Sequence, residues 1–198
     1  MREQELKWKL SSFDDYQRVC RYLPGFIKEI HQTNIYLDTH TRLLLQHAVM
    51  FRLRQEDIQH LVTIKSGASH EEGYFIADEW QRELADREND LILTTGTLPG
   101  DVEDILRQMI TGLPTPLTVQ KIGQLNNTRR IHRVDALVIE VDCMHTAIKL
   151  RDFEIEIETD APLQARAYLA EFCSHHDIHT TPQTQTKYER FLQANASR

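Results

Sequence analysis

A chain of 198 residues, 40% of them hydrophobic, is long enough for one domain with a good-sized core. Its 30 acidic and 23 basic residues give a formal net charge of -7, which argues against a general nucleic-acid or anionic-membrane binder, so any anion site must be locally concentrated. Cys20, Cys143 and Cys173 are odd in number, far apart and free of any CxxC spacing, so neither a disulfide framework nor a zinc-thiolate site is suggested.

The first stretch, Glu3 to Leu10, alternates strictly: Glu3, Glu5, Lys7 and Lys9 share one face of a strand, and Leu6, Trp8 and Leu10 the other. Ser11-Ser12 offers an N-cap, with Asp14 and Asp15 in the first turn of a helix from Phe13 to about Leu23, which Pro24-Gly25 stops. Ile27 to Asp38 reads as extended. From Ala48 to Gln55, Val49, Phe51 and Leu53 oppose Met50, Arg52 and Arg54; after a turn at Glu56-Asp57, Leu61, Thr63 and Lys65 oppose Val62 and Ile64. The result is a basic hairpin.

Tyr74 to Leu84 forms a further strand whose facing the pattern leaves open. Asp101 caps a helix carrying Val102, Ile105, Leu106, Met109 and Ile110 at helical spacing, ended by Gly112 and Pro114/Pro116. Strands follow over Thr118 to Leu125, Asn127 to Val134 and Leu137 to Cys143, with Glu140 and Asp142 on one face. Phe153 to Glu158 then repeats the opening pattern with three carboxylates on one side. Pro162 opens a helix to about His175 that offers Leu163, Ala167, Leu169, Ala170 and Cys173 for burial, and a short helix begins at Lys187. No segment approaches the roughly 20 apolar residues that span a bilayer. A soluble, cytoplasmic protein is expected.

The charges sort into acidic strands and basic strands. Two packings accommodate that pattern: a sandwich with apolar faces inward and charges in solvent, or a closed barrel with apolar faces under helices and charges inside.

Glu3-x-Glu5-x-Lys7 resembles the signature of the CYTH superfamily, the triphosphate tunnel metalloenzymes. Tyr36-Leu37-Asp38-Thr39, Arg52-Leu53-Arg54, Thr63-Ile64-Lys65, Arg129, Asp142, Glu154-x-Glu156-x-Glu158 and Lys187-Tyr188 extend the resemblance over essentially the whole chain. It implies an α+β fold: one domain over residues 1–198, a closed antiparallel β-barrel of about eight strands forming a charged tunnel, with helices packed outside. It further implies that Glu3, Glu5, Glu154, Glu156 and Glu158 hold Mg²⁺ or Mn²⁺, hard cations that prefer carboxylates. Lys7, Lys9, Arg52, Arg54, Lys65, Arg129 and Lys187 would then cradle phosphates. Lys7, Glu5 and Glu156 are the expected catalytic residues, with Lys7 binding phosphate or orienting water.

The expected reaction is metal-dependent hydrolysis of a small triphosphate, inorganic tripolyphosphate, thiamine triphosphate or a nucleoside triphosphate. The substrate is the expected partner, with neither nucleic acid nor membrane, and with room for a homodimer. A class IV-type adenylyl cyclase and a non-catalytic polyphosphate- or nucleotide-binding module are the alternatives. This chain departs from the family at Asn127, where a lysine is common. Arg130 and Arg133 read as surface charges, and the His175-His176-Asp177-Ile178-His179 tract as a solvated helix end.

Overall fold

The computed structural model describes residues 1–145 and 151–196. Nine strands and six helices are formed among them: β1 (Arg2–Leu10), α1 (Phe13–Tyr22), β2 (Phe26–Asp38), α2 (Leu43–Gln46), β3 (Met50–Glu56), β4 (Gln59–Glu71), β5 (Tyr74–Leu84), α3 (Asp86–Thr95), α4 (Gly100–Met109), β6 (Gln120–Val134), β7 (Leu137–His145), β8 (Arg151–Glu158), α5 (Pro162–His175), β9 (Thr180–Pro182) and α6 (Lys187–Ala196). The hydrogen-bonded order is β5-β4-β3-β2-β6-β7-β8-β1-β9, and an additional β5–β1 pairing closes β1 to β8 into an antiparallel barrel. The edge of β1 is divided: Lys7 N donates to Gly73 O at 2.7 Å, while Lys7 O accepts from Gln183 N at 3.0 Å.

The chain divides into two compact units. The first comprises Met1, Thr33–Ala68 and Asp78–Gln124. Its core joins Phe51, Leu53, Val62 and Ile64 of β3 and β4 to Ile92 of α3 and Val102 and Leu106 of α4. Alternation therefore places the apolar faces of β3 and β4 under helices, and Arg52 and Thr63 are nonetheless buried on the opposite faces. Removing a side chain such as Phe51 or Leu106 from water contributes roughly 1.5–3 kcal/mol.

The second unit comprises Arg2–Gln32, Ser69–Ala77 and Leu125–Arg198. Leu6, Leu10, Ile139, Val141, Phe153, Ile155 and Ile157 form its core with Val19 of α1 and with Ala165, Leu169, Phe172 and Cys173 of α5. Here too the carboxylate-bearing face of β8 is the one turned away from α1 and α5. Ser12 caps α1, its Oγ accepting from Asp15 N at 3.1 Å. The next turn requires glycine: Gly25 sits at φ 71°, a Cβ there would run into the Arg133 carbonyl, and its own carbonyl accepts from Arg133 N at 2.8 Å.

Several elements differ from the sequence-based reading. The strands expected on either side of Asn126 are one strand, β6. α2 and α3 were not anticipated. Ile92 is the one core contribution from the Leu91-Ile92-Leu93 run, and α3 is held at its start by Glu88, whose carboxylate accepts from Ala85 N at 2.9 Å. Pro99, not Asp101, is the N-cap of α4, and Asp101 in its first turn pairs with Arg82. On α5, Leu163, Ala167 and Ala170 face solvent while Ala165 and Phe172 are buried with Leu169 and Cys173. The open facing of β5 resolves as Phe75 and Ala77 inside, with Trp80 packed against the first unit's core and Arg82 bound to Glu88 and Asp101.

Candidate metal and phosphate site

Charged residues of four neighbouring strands, β1, β8, β7 and β6, build an acidic cluster within the second unit. Strand register aligns Lys7 with Glu156 and Glu156 with Glu140 in one row, and Lys9 with Glu154, Glu154 with Asp142 and Asp142 with Arg129 in the next. The charged face meets itself across the ladder, which would be repulsive without alternating signs. Lys7 Nζ lies 2.7 Å from Glu5 Oε1 and 2.5 Å from Glu156 Oε1. Arg129 clamps Asp142 with Nε to Oδ1 at 2.9 Å and a terminal nitrogen to Oδ2 at 2.7 Å, reaches Glu156 Oε2 at 2.7 Å and pairs with Glu140.

α6 adds two cations from one face, Lys187 and Arg190, at a spacing of three residues. Lys187 Nζ sits 2.7 Å from Asp142 Oδ2, Glu154 Oε1 and Glu156 Oε2. Arg190 holds Asp152 Oδ2 at 2.8 Å and Glu154 Oε2 at 2.7 Å, and Gln183 Nε2 donates to the same Glu154 oxygen at 3.3 Å.

Burial penalises every charge in this cluster, and the balance of neighbours decides each outcome. For Glu156, burial is outweighed by Lys187, Lys7 and Arg129, which hold its carboxyl well below the usual carboxylate range. Asp142 is lowered in the same way against burial by Arg129 and Lys187. Lys7 stays above the usual lysine range because Glu156, Glu5 and Glu154 override its desolvation. Glu140 goes the other way despite its pairing with Arg129: burial, with Asp142 and Glu156 nearby, pushes it up to about 7.

Glu5, Glu140, Asp142, Asp152, Glu154 and Glu156 face the four cations Lys7, Arg129, Lys187 and Arg190, so full ionisation leaves an excess of two negative charges. Asp142, Glu154 and Glu156 each offer an oxygen within 4.8 Å of the others. These are hard oxygen donors without imidazole or thiolate, and the residues fit a divalent ion such as Mg²⁺ or Mn²⁺.

The first unit holds a basic group of its own. Arg52 donates to Thr63 Oγ1 at 3.1 Å, Thr63 Oγ1 donates to Gln81 Oε1 at 3.0 Å, and Arg54 Nε donates to Asn34 Oδ1 at 3.0 Å. Lys65 Nζ pairs with Glu79 at 2.8 Å. Glu79 is half-buried, and Lys65, Arg52 and Arg54 outweigh that burial and lower its carboxyl pKa. Arg52 Nε is buried without a hydrogen-bond partner among the described residues, a donor matched to an added anion.

The structure thus brings Glu5, Lys7, Arg129, Glu154, Glu156 and Lys187 together in the second unit, and Arg52, Arg54 and Lys65 in the first. Glu3 is half-buried, and Lys9 and Glu158 are exposed and outside the close carboxylate group. Asp142 is both the Arg129 partner and a member of that group. Asp152, Gln183, Arg190 and Glu79 were not singled out. Asp152 continues the alternation of Glu154 and Glu156, and Arg190 lies one helical turn beyond Lys187, so both carried a signal; Gln183 lies beside the three-residue β9, which carried none. Asn127 is buried, with Nδ2 donating to Gln32 Oε1 at 3.0 Å. Arg130 pairs with Glu29 and Arg133 is exposed.

The family model described as CYTH domain matches residues 1–191. No curated protein matches. Among solved structures, HpAC1 from Hippeastrum, described as a candidate adenylyl cyclase with a dominant triphosphatase activity, is similar at TM-score 0.88 and 21% identity, covering 96% of this chain and 95% of that one. A candidate adenylate cyclase from Bacillus halodurans is similar at TM-score 0.74 and 24% identity, over 96% of this chain and 98% of that one. PH1819 from Pyrococcus horikoshii is similar at TM-score 0.62 and 15% identity, with 96% and 98% covered. At these identities the likeness of structure speaks for the fold, while the family match runs through nearly every strand and both charged groups, so this chain belongs to the CYTH domain family.

Proposed function

We propose that residues 1–198 act as a single CYTH domain that hydrolyses a small triphosphate with Mg²⁺ or Mn²⁺, inorganic tripolyphosphate being the simplest substrate and thiamine triphosphate or a nucleoside triphosphate the others. The observation that carries this reading is the buried carboxylate group of Asp142, Glu154 and Glu156 set among Lys7, Arg129 and Lys187. A pure anion binder has no use for carboxylates beside its ligand, because like charges repel unless a cation intervenes. That argues against the non-catalytic module.

Asp142, Glu154 and Glu156 would hold the metal, with Glu5 close through its bridge to Lys7. When bound, the metal polarises the phosphoryl group and lowers the pKa of water. The chain's own residues do the rest. Arg52, Arg54 and Lys65 bind phosphate oxygens, and Arg129 and Lys187 offset charge that develops on the transferring group. Lys7, fixed between Glu5 and Glu156, orients the attacking water or a phosphate oxygen. Adenylyl cyclase activity is the second reading, supported by how the Hippeastrum and Bacillus proteins are described.

The test is incubation with tripolyphosphate, thiamine triphosphate and ATP under Mg²⁺, Mn²⁺ or EDTA, with orthophosphate, pyrophosphate and cyclic AMP measured. Metal-dependent orthophosphate is expected. Pyrophosphate with cyclic AMP would establish the cyclase, and tight binding without product the binding module.

A further inference from the structure

Each carboxylate of the candidate metal group has one oxygen committed elsewhere. Asp142 Oδ1 accepts from Arg129 Nε, Glu156 Oε1 pairs with Lys7, and Glu154 Oε2 is shared by Arg190 and Gln183. The three remaining oxygens, Asp142 Oδ2, Glu154 Oε1 and Glu156 Oε2, converge on a single atom, Lys187 Nζ, at 2.7 Å each. Arg129 touches two of these oxygens as well, but it is anchored through Nε to Asp142 and does not reach Glu154.

An ammonium at hydrogen-bond distance from three oxygens fills the space that a divalent ion needs at about 2.0–2.6 Å from its ligands. The two cannot share it. Lys187 is the first residue of α6, and its ammonium sits at the end of a flexible four-carbon stem whose rotation would carry the head off the carboxylates with the helix still in place.

We propose that Lys187 is an internal counter-cation that occupies the metal position until metal arrives, and that the displaced ammonium then binds the triphosphate. This rests on the metal-binding part of the proposed function and deepens it. Two consequences follow. Metal alone binds weakly, since it must displace a cation already held by three carboxylates. Triphosphate strengthens metal binding by giving the displaced ammonium a new anion, and metal strengthens triphosphate binding by the same factor.

The test measures Mn²⁺ binding by electron paramagnetic resonance and calorimetry, with no turnover involved, in wild type, Lys187→Met and Lys187→Arg, with and without a non-hydrolysable triphosphate analogue. Lys187→Met is expected to bind Mn²⁺ alone on the order of tenfold tighter than wild type, because one competing charge is gone from the site. It should also lose most of the coupling between metal and analogue. Lys187→Arg, which restores the charge, should keep Mn²⁺ binding weak. Should Lys187→Met unfold without metal, a rise in its melting temperature with Mn²⁺ that exceeds the wild-type rise gives the same support. Equal or weaker Mn²⁺ affinity in Lys187→Met, or undiminished coupling, overturns the proposal even if the protein is a triphosphatase. Absence of hydrolysis with the metal exchange intact would instead count against the proposed reaction alone.

Discussion

Glu156→Gln separates the chemistry of the site from its stability. Glu156 is 3% exposed and meets Lys7 at 2.5 Å and Arg129 and Lys187 at 2.7 Å each. Removing one partner of a buried ion pair usually costs about 3–5 kcal/mol, because the other charge is stranded. Here no cation is stranded, because Glu5 still faces Lys7, Asp142 and Glu140 face Arg129, and Asp142 and Glu154 face Lys187. The cluster also starts with surplus negative charge, and glutamine keeps one acceptor oxygen. A cost of about 1.5–3 kcal/mol is therefore expected, the range of a hydrogen bond to a charged group rather than of a broken ion pair. For a chain of this size that lowers the melting temperature by roughly 3–12 °C. Turnover should fall by about a thousandfold, since on the proposed function Glu156 would hold metal and is paired with the lysine that would orient water. Urea unfolding with circular dichroism, beside orthophosphate release at saturating Mg²⁺, reads both quantities. Retained metal-dependent turnover would refute the placement of Glu156 at the metal, and a loss above about 4 kcal/mol would refute the surplus-charge reasoning.

Arg52→Ala and Arg54→Ala should each weaken binding of a non-hydrolysable triphosphate by about tenfold, the worth of a charge-assisted contact; unchanged affinity by calorimetry would remove them from the site. Arg82→Met breaks the bridge from β5 to Glu88 and Asp101 and should cost about 1 kcal/mol in urea unfolding at pH 7. Arg82 and the Ala85 N–H hold Glu88 down to about 2, so its contribution is complete above the unfolded carboxyl value near 4.5 and fades as pH falls toward 2. The gap between wild type and Arg82→Met should narrow over that window, and a constant gap would assign the effect to packing. Gly25→Ala forces a left-handed residue against the Arg133 carbonyl and should cost about 1–3 kcal/mol by thermal melting, whereas an unchanged melting temperature would show that the turn shifts freely.

What the sequence made legible was periodicity. Strict alternation in β1, β3 and β8 gave the charged faces, and Glu154 and Glu156 lie where that alternation puts them. Periodicity could not tell a barrel from a sandwich, because both satisfy it; the choice lies in which face the helices cover, a tertiary fact visible in Phe51 and Ile155 packing under α4 and α5. Nor could it find α3, whose Leu91-Ile92-Leu93 run lacks a clean helical stripe and is fixed instead by the Glu88 cap. The carboxylate group was only half legible. Glu158 shares the alternation but lies past the buried stretch of β8, while Asp142 enters from β7 through strand register, which no single stretch of sequence encodes.

Glu79, a carboxylate paired with Lys65 and lowered by Lys65, Arg52 and Arg54, has a consequence for which anions this face can hold. It acts as a resident ligand. A chloride or acetate ion that took its place would exchange one singly charged partner for another and gain nothing, while losing its own hydration. A chain of phosphoryl groups brings several charges at once and can satisfy all three cations together, leaving Glu79 to turn outward. On the proposed function, the basic face would thereby be set to a threshold of charge, favouring polyanions over the small anions of any buffer or cell, with selectivity supplied by a residue of the ligand's own sign.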